Sequence, residues 1–179
     1  MDPSDVALLF ILGSADPGPA RFEDICAAAR YVAPQDWQPT SEVIRASAER
    51  AIRDGLLFLC RTEGAGADAL ETTRLGRAMI LALLRKPIPG GGGSFPRTCM
   101  TVKLCFLHLL PPPARNAEGA ALDGLYRSAL DVVRRLQELP PGLGGPARAD
   151  LRAERVRLES ELAWLEAVSR WQPLRQAAE

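Results

Sequence analysis

Arg45, Arg50 and Arg53 recur in the stretch SEVIRASAERAIRD, interleaved with Glu42, Glu49 and Asp54. Guanidinium groups on one helix can neutralise phosphates and fork onto guanine edges, or they can pair with carboxylates one turn away. Arg45–Glu49 and Glu49–Arg53 are four apart, so pairing on a solvated face competes directly with nucleic-acid contact. A second cluster, Cys99, Cys105 and His108, raises metal chemistry. His108 is the sole histidine, no fourth ligand is near, and the spacing fits helix faces poorly, so core thiols and a satisfied imidazole are expected, with no metal and no cofactor. Catalysis has little to stand on: one histidine in an apolar helix makes a poor triad, and the glycines at Gly90–Ser94 lack the Lys-Ser/Thr of a phosphate loop. The chain is not expected to be an enzyme. Trp164 and Trp171, seven apart, share a helix face and read either as a stacking wall for an aromatic effector or as interface packing.

These residues need a scaffold, and 179 residues suffice for one sizeable core or a small domain with an appendage. Basic and acidic residues balance at 22 each, so no strong global field draws the chain to nucleic acid or anionic lipid. Val6–Leu12 is too short for a membrane span, and Asp2 and Asp5 before it are not the basic flank of a signal peptide. Cys26, Cys60, Cys99 and Cys105 lack paired spacing, which suits free thiols in a cytoplasmic protein.

A first helix is expected from caps at Asp2–Ser4 to Gly13, and a second over Arg21–Val32 with Phe22, Ile25, Cys26 and Ala29 on one face. Between Thr40 and Leu84 the order is helix, strand, tight turn, strand, helix. The third helix covers Ser41–Asp54 and stops at Gly55, with Ile44, Ala48, Ala51 and Ile52 inward and Ala46, Arg50 and Arg53 outward. Leu56–Thr62 and Ala69–Thr72 are expected as a hairpin around the Glu63–Asp68 turn. Thr73 then caps a helix bearing Leu75, Met79, Leu83 and Leu84. Four consecutive glycines within 89–97 mark a flexible connector. Beyond it, Thr98–Leu110 is a buried helix and Ala120–Leu139 carries Leu122, Leu125, Leu130, Val133 and Leu136 at helical spacing. Asp150–Trp171 carries a near-heptad seam of Leu151, Leu158, Leu162, Leu165, Val168 and Trp171 that suits homodimerisation.

Taken in this order, LLFILGSADPGPARFEDI, AERAIRDGLLFL, LETTRLGRAM, KLCFLHLLPP and ERVRLESELAWLEAV resemble the PadR family of transcriptional regulators. The resemblance implies a mainly α fold: an N-terminal winged helix-turn-helix of three helices and a two-stranded wing (1–88), a connector (89–97) and a helical dimerisation region (98–179). It further implies a cytoplasmic homodimer that grips a palindromic DNA operator, commonly as a repressor, and in some members answers to a small aromatic effector. Carried onto this sequence, DNA contact falls to Ser41, Arg45, Arg50 and Arg53 on the third helix and to Arg61 and Arg74 at the wing. The family's Tyr and Leu positions before the glycine hold Arg45, Ala48 and Ala51 here, which predicts a thinner core under the helix. Residues 1–90 carry ten basic against twelve acidic groups, a net of −2. The alternative is therefore the same dimeric scaffold with weak or lost DNA binding, its neutral third helix recognising a protein partner.

Overall fold

Asp2 opens the first helix by a reciprocal capping box. Its carboxylate accepts from the Asp5 amide, and the Asp5 carboxylate accepts from the Asp2 amide, each at 2.9 Å. In the computed structural model, which describes residues 1–32, 39–61, 68–90, 94–138 and 145–170, this helix is α1 (Pro3–Ser14). Val6, Leu9, Phe10, Ile11 and Leu12 are all buried, because α3, α4 and α5 pack around it. An apolar surface on every side is what such a central helix requires.

Ala20 and Arg21 form a short strand, β1, ahead of α2 (Phe22–Val32). The third helix, α3 (Ser41–Arg53), leads into β2 (Leu57–Arg61) and β3 (Asp68–Thr72), and α4 spans Arg74–Arg85. The sheet order is β1-β3-β2, all antiparallel, with Ala20 opposite Leu70 and Leu59 opposite Leu70 on the other side. Helix, strand, two helices and a two-stranded hairpin in this sheet order are the topology of a winged helix. The two-stranded wing expected from the sequence is present as β2 and β3, and β1 adds a third strand to it along β3. A two-residue strand offers no alternation to read, so β1 is visible only through its pairing.

The Thr72–Thr73 pair locks these elements together. The Thr72 hydroxyl donates to the Leu12 carbonyl at 2.8 Å, and the Thr72 amide donates to the Ala15 carbonyl at 3.1 Å. The Thr73 hydroxyl donates to the Gly55 carbonyl at 2.7 Å and accepts from the Gly76 amide at 3.0 Å. Two adjacent residues thus satisfy the end of α1, the turn after α3 and the start of α4. Gly76 allows this approach, since a Cβ there would collide with the Leu56 carbonyl oxygen.

The face expected of α4 holds at Leu83 and Leu84 but not at Leu75. Ile80, Leu83 and Leu84 are buried, whereas Leu75 is exposed and Met79 is half-buried. Past the glycines, α5 (Ser94–Phe106) and a single 3-10 turn, Leu107–Leu109, replace the continuous helix expected to Leu110. α5 packs back on α1, where the Phe10 and Phe106 rings meet edge to face with centroids 5.7 Å apart. The chain divides into two compact units, Met1–Leu110 and Pro111–Glu179.

The second unit is built from α6 (Pro112–Glu138) and α7 (Gly145–Arg170). Pro112 and Pro113 begin α6, a position where the missing proline N–H costs nothing. The two helices run antiparallel, with Arg155 donating to Gln137 at 3.5 Å and Arg134 3.8 Å from Glu159. Leu122, Tyr126, Leu130 and Val133 of α6 are buried, as are Leu158, Leu162 and Leu165 of α7. Leu125 and Leu136, expected in the same inward stripe, are exposed, and Tyr126 fills the stripe instead.

Candidate nucleic-acid interface

The ends of α3 are fixed by local hydrogen bonds. The Thr40 hydroxyl accepts from the Val43 amide at 3.3 Å. At the other end Gly55 takes a φ of 71°, the Gly55 amide donates to the Ile52 carbonyl at 3.0 Å, and the Leu56 amide reaches the Ala51 carbonyl at 2.8 Å. That pair of bonds is a Schellman motif, and the left-handed residue it needs is one that glycine adopts without strain. Ile44, Ala48 and Ala51 are buried beneath the helix as expected, while Ile52 is only half-buried. Burying Ile44 contributes about 1.5–3 kcal/mol. Two alanines beside it let α3 lie close to α1, on which it packs.

The outward face carries Glu42, Val43, Ala46, Glu49, Arg50 and Arg53, all exposed. The ion pairs expected from spacing, Arg45–Glu49 and Glu49–Arg53, are not formed. Arg45 instead turns toward α2 and lies over the half-buried Phe22 ring at 4.4 Å from its centroid. Arg50 reaches Asp54 at 3.7 Å, a long contact between side chains that stay 76% and 55% exposed. An exposed pair of this kind is worth about 0–1 kcal/mol and exchanges readily for a phosphate. Arg53 makes no ion pair among the described residues. Asp54, at the C-cap, thus offsets part of the positive charge of Arg50.

Ser41, exposed in the first turn, sits on the same helix. Arg74 is exposed in the first turn of α4, which follows β3 in the chain. Arg61 ends β2 in register with Asp68 of β3. The turn joining these strands, residues 62–67, lies outside the described residues, as does Trp37. The structure thus places Ser41, Arg45, Arg50 and Arg53 on one element and Arg61 and Arg74 on its neighbours. The exposure of Val43, at 50%, was not anticipated. Its only sequence signal is a β-branched residue at a position that helical phase turns away from Ile44.

The cysteines and His108 have structural surroundings. Cys26 and Cys99 are buried, and burial pushes both thiols up from their ordinary range. His108 Nδ1 lies 3.0 Å from the Cys105 carbonyl oxygen. Among the described residues no three His, Cys, Asp or Glu side chains converge as metal ligands, and no helix is long and apolar enough to cross a membrane.

The α7 seam includes three leucines that the chain itself covers. Leu158, Leu162 and Leu165 are buried within the chain itself, in the unit α7 forms with α6, while Leu151 and Val168 are half-buried. Trp164 lies off the seam and is 44% exposed. Trp171 lies outside the described residues.

The fold defines a class, the winged helix with an appended helical hairpin. No protein-family model matches the chain, and no curated protein matches it either. Among solved structures it is similar to PadR of Bacillus subtilis in complex with operator DNA, at 16% identity over 94% of this chain and 98% of that one, with a TM-score of 0.45. It is similar to the same regulator in complex with p-coumaric acid, at 16% identity over 94% and 96% of the two chains, with a TM-score of 0.44. The Vibrio cholerae virulence activator AphA matches at 16% identity over 91% and 95%, with a TM-score of 0.42.

Proposed function

We propose that this chain is a PadR-like transcriptional regulator that binds double-stranded DNA through α3 and the wing. The observation that carries this reading is the outward face of α3. Arg50 and Arg53 stand exposed on a helix whose ends are both locked and whose inner face is buried, so they are presented without being consumed by Glu49. A reading helix needs this combination of rigid seating and available positive charge. Ser41, Arg45, Arg61 and Arg74 complete the proposed contact set.

Two protomers would span a palindromic operator, and the second unit supplies a surface for that pairing. The seam leucines are covered within the hairpin, which leaves the exposed stripe Leu125, Val132 and Leu136 of α6 for a second copy. Helical phase sets these three within one narrow stripe. Trp164 adds exposed aromatic area on α7, where an aromatic small-molecule effector would stack, joined by Trp171 in the same proposal.

A second reading is favoured by one observation, the presence of Glu42 and Glu49 on the same outward face. A neutral face of alternating charge suits a protein partner better than a phosphate backbone. Mobility shifts separate the two. Duplexes tiling the DNA upstream of this protein's own gene should be retarded at low salt and released at high salt. Absence of any shift at low salt would leave only the protein-interaction reading.

A further inference from the structure

Val43 is the one large apolar side chain on the exposed face of α3, and it lies in the first turn of that helix. It is 50% exposed, so it does little for the core. A β-branched residue also lowers helix propensity, so a solvated helix gains nothing from it. Ala46 follows one turn later on the same side, also exposed, and Arg50 follows at the next turn. Val43, Ala46 and Arg50 thus form a short row: two apolar groups, one of them small enough to let the backbone approach closely, then a guanidinium.

The major groove offers that row a matching surface. Thymine presents a C5-methyl group there, guanine presents the O6 and N7 acceptors, and the N-terminal residues of a recognition helix are those that reach base edges. Cytosine and the purines offer no methyl for Val43 to cover. Glu42 and Glu49, beside the row, oppose phosphate contact at this part of the helix but not apolar contact with a base edge. Exposed Arg53 supplies positive charge on the same face.

We propose that Val43, with Ala46 beside it, is a specificity-determining residue that reads the methyl group of a thymine in the major groove. The proposal rests on the DNA-binding reading given above and adds what the site selects. Covering one methyl group corresponds to roughly a fourfold gain in affinity, from the transfer energy of a single carbon.

The test uses the full chain. Duplexes are selected from a random library at low salt, and each thymine of the selected site is replaced in turn by deoxyuridine, which removes only the methyl. The expected result is a loss of about fourfold at one thymine of each half-site, with no loss at that thymine for Val43→Ala or Val43→Ser. Val43 is half exposed, so both variants should melt close to the parent. Sequence-selective binding with no deoxyuridine effect, or an effect that persists in the Val43 variants, overturns this inference and leaves the DNA-binding reading standing. Failure to retain any duplex overturns both.

Discussion

The Arg45 guanidinium lies 4.4 Å from the centroid of the Phe22 ring, joining the first turn of α2 to the middle of α3. A cation over an aromatic face at an exposed site is worth about 0.5–1 kcal/mol. Phe22→Leu keeps the apolar bulk and removes the ring, so the melting temperature should fall by roughly 2–5 °C. Calorimetry of the variant beside Arg45→Ala checks this. The double variant should be no less stable than the less stable single variant if the two residues act as a pair.

Two glycine substitutions should act in opposite directions. Gly76→Ala places a Cβ against the Leu56 carbonyl oxygen, where backbone cannot give way cheaply, and should cost about 1–3 kcal/mol. Gly124, exposed in the middle of α6, has open space around the added atom. Gly124→Ala should therefore stabilise by about 0.5–1 kcal/mol through helix propensity alone. Urea melts of both variants, with unchanged slopes, are the measurement.

Stability should have an acid limb that depends on Asp5. Burial by itself would raise the Asp5 carboxyl, but the 2.7 Å hydrogen bond from Lys86 and the Asp2 amide outweigh it, and its pKa is lowered from the ordinary 3.8. A depressed carboxylate contributes stability above its unfolded pKa and loses it as pH falls through the folded one. Lys86 is raised from 10.5 by the same contact, so its contribution persists until strongly alkaline pH. Melting temperature should thus be flat from about pH 5 to 8 and decline below about pH 4. Asp5→Asn should lower the plateau and flatten the acid decline.

The hairpin separates two kinds of substitution. Leu158 is 1% exposed, so Leu158→Asp buries a charge and should lower helix content, whatever the oligomeric state. Val132 is 45% exposed, and Val132→Asp with Leu136→Asp should leave circular dichroism near that of the parent. If the α6 stripe holds the dimer, the same pair should halve the mass seen by light scattering. Unchanged mass would move the pairing surface elsewhere.

The elements that the sequence revealed are those whose signals are local. Gly55 and Thr73 mark helix ends by capping chemistry that involves residues a few positions away, and both act as expected. The strand at Ala20–Arg21 was hidden because its partner lies near Leu70, far along the chain. The α7 seam shows a subtler limit. Its leucines mark a buried face, but period alone does not say whether a second chain or α6 does the burying. At the candidate interface the same limit applies to charge. Spacing assigned Glu49 to the arginines, whereas the fold turns Arg45 to Phe22 and Arg50 to Asp54.

If α3 holds DNA by its outward arginines, the salt dependence of affinity must change when Arg50 and Arg53 are removed. Fluorescence anisotropy of a labelled upstream duplex should give a log–log salt slope that becomes shallower in the Arg50→Ala/Arg53→Ala variant. Each neutralised phosphate contributes about 0.9 to that slope, so a dimer losing up to four contacts should lose about 2 to 4. Affinity at low salt should fall at least roughly tenfold. An identical slope and affinity in the variant, with the parent bound, would mean that Arg50 and Arg53 do not hold DNA.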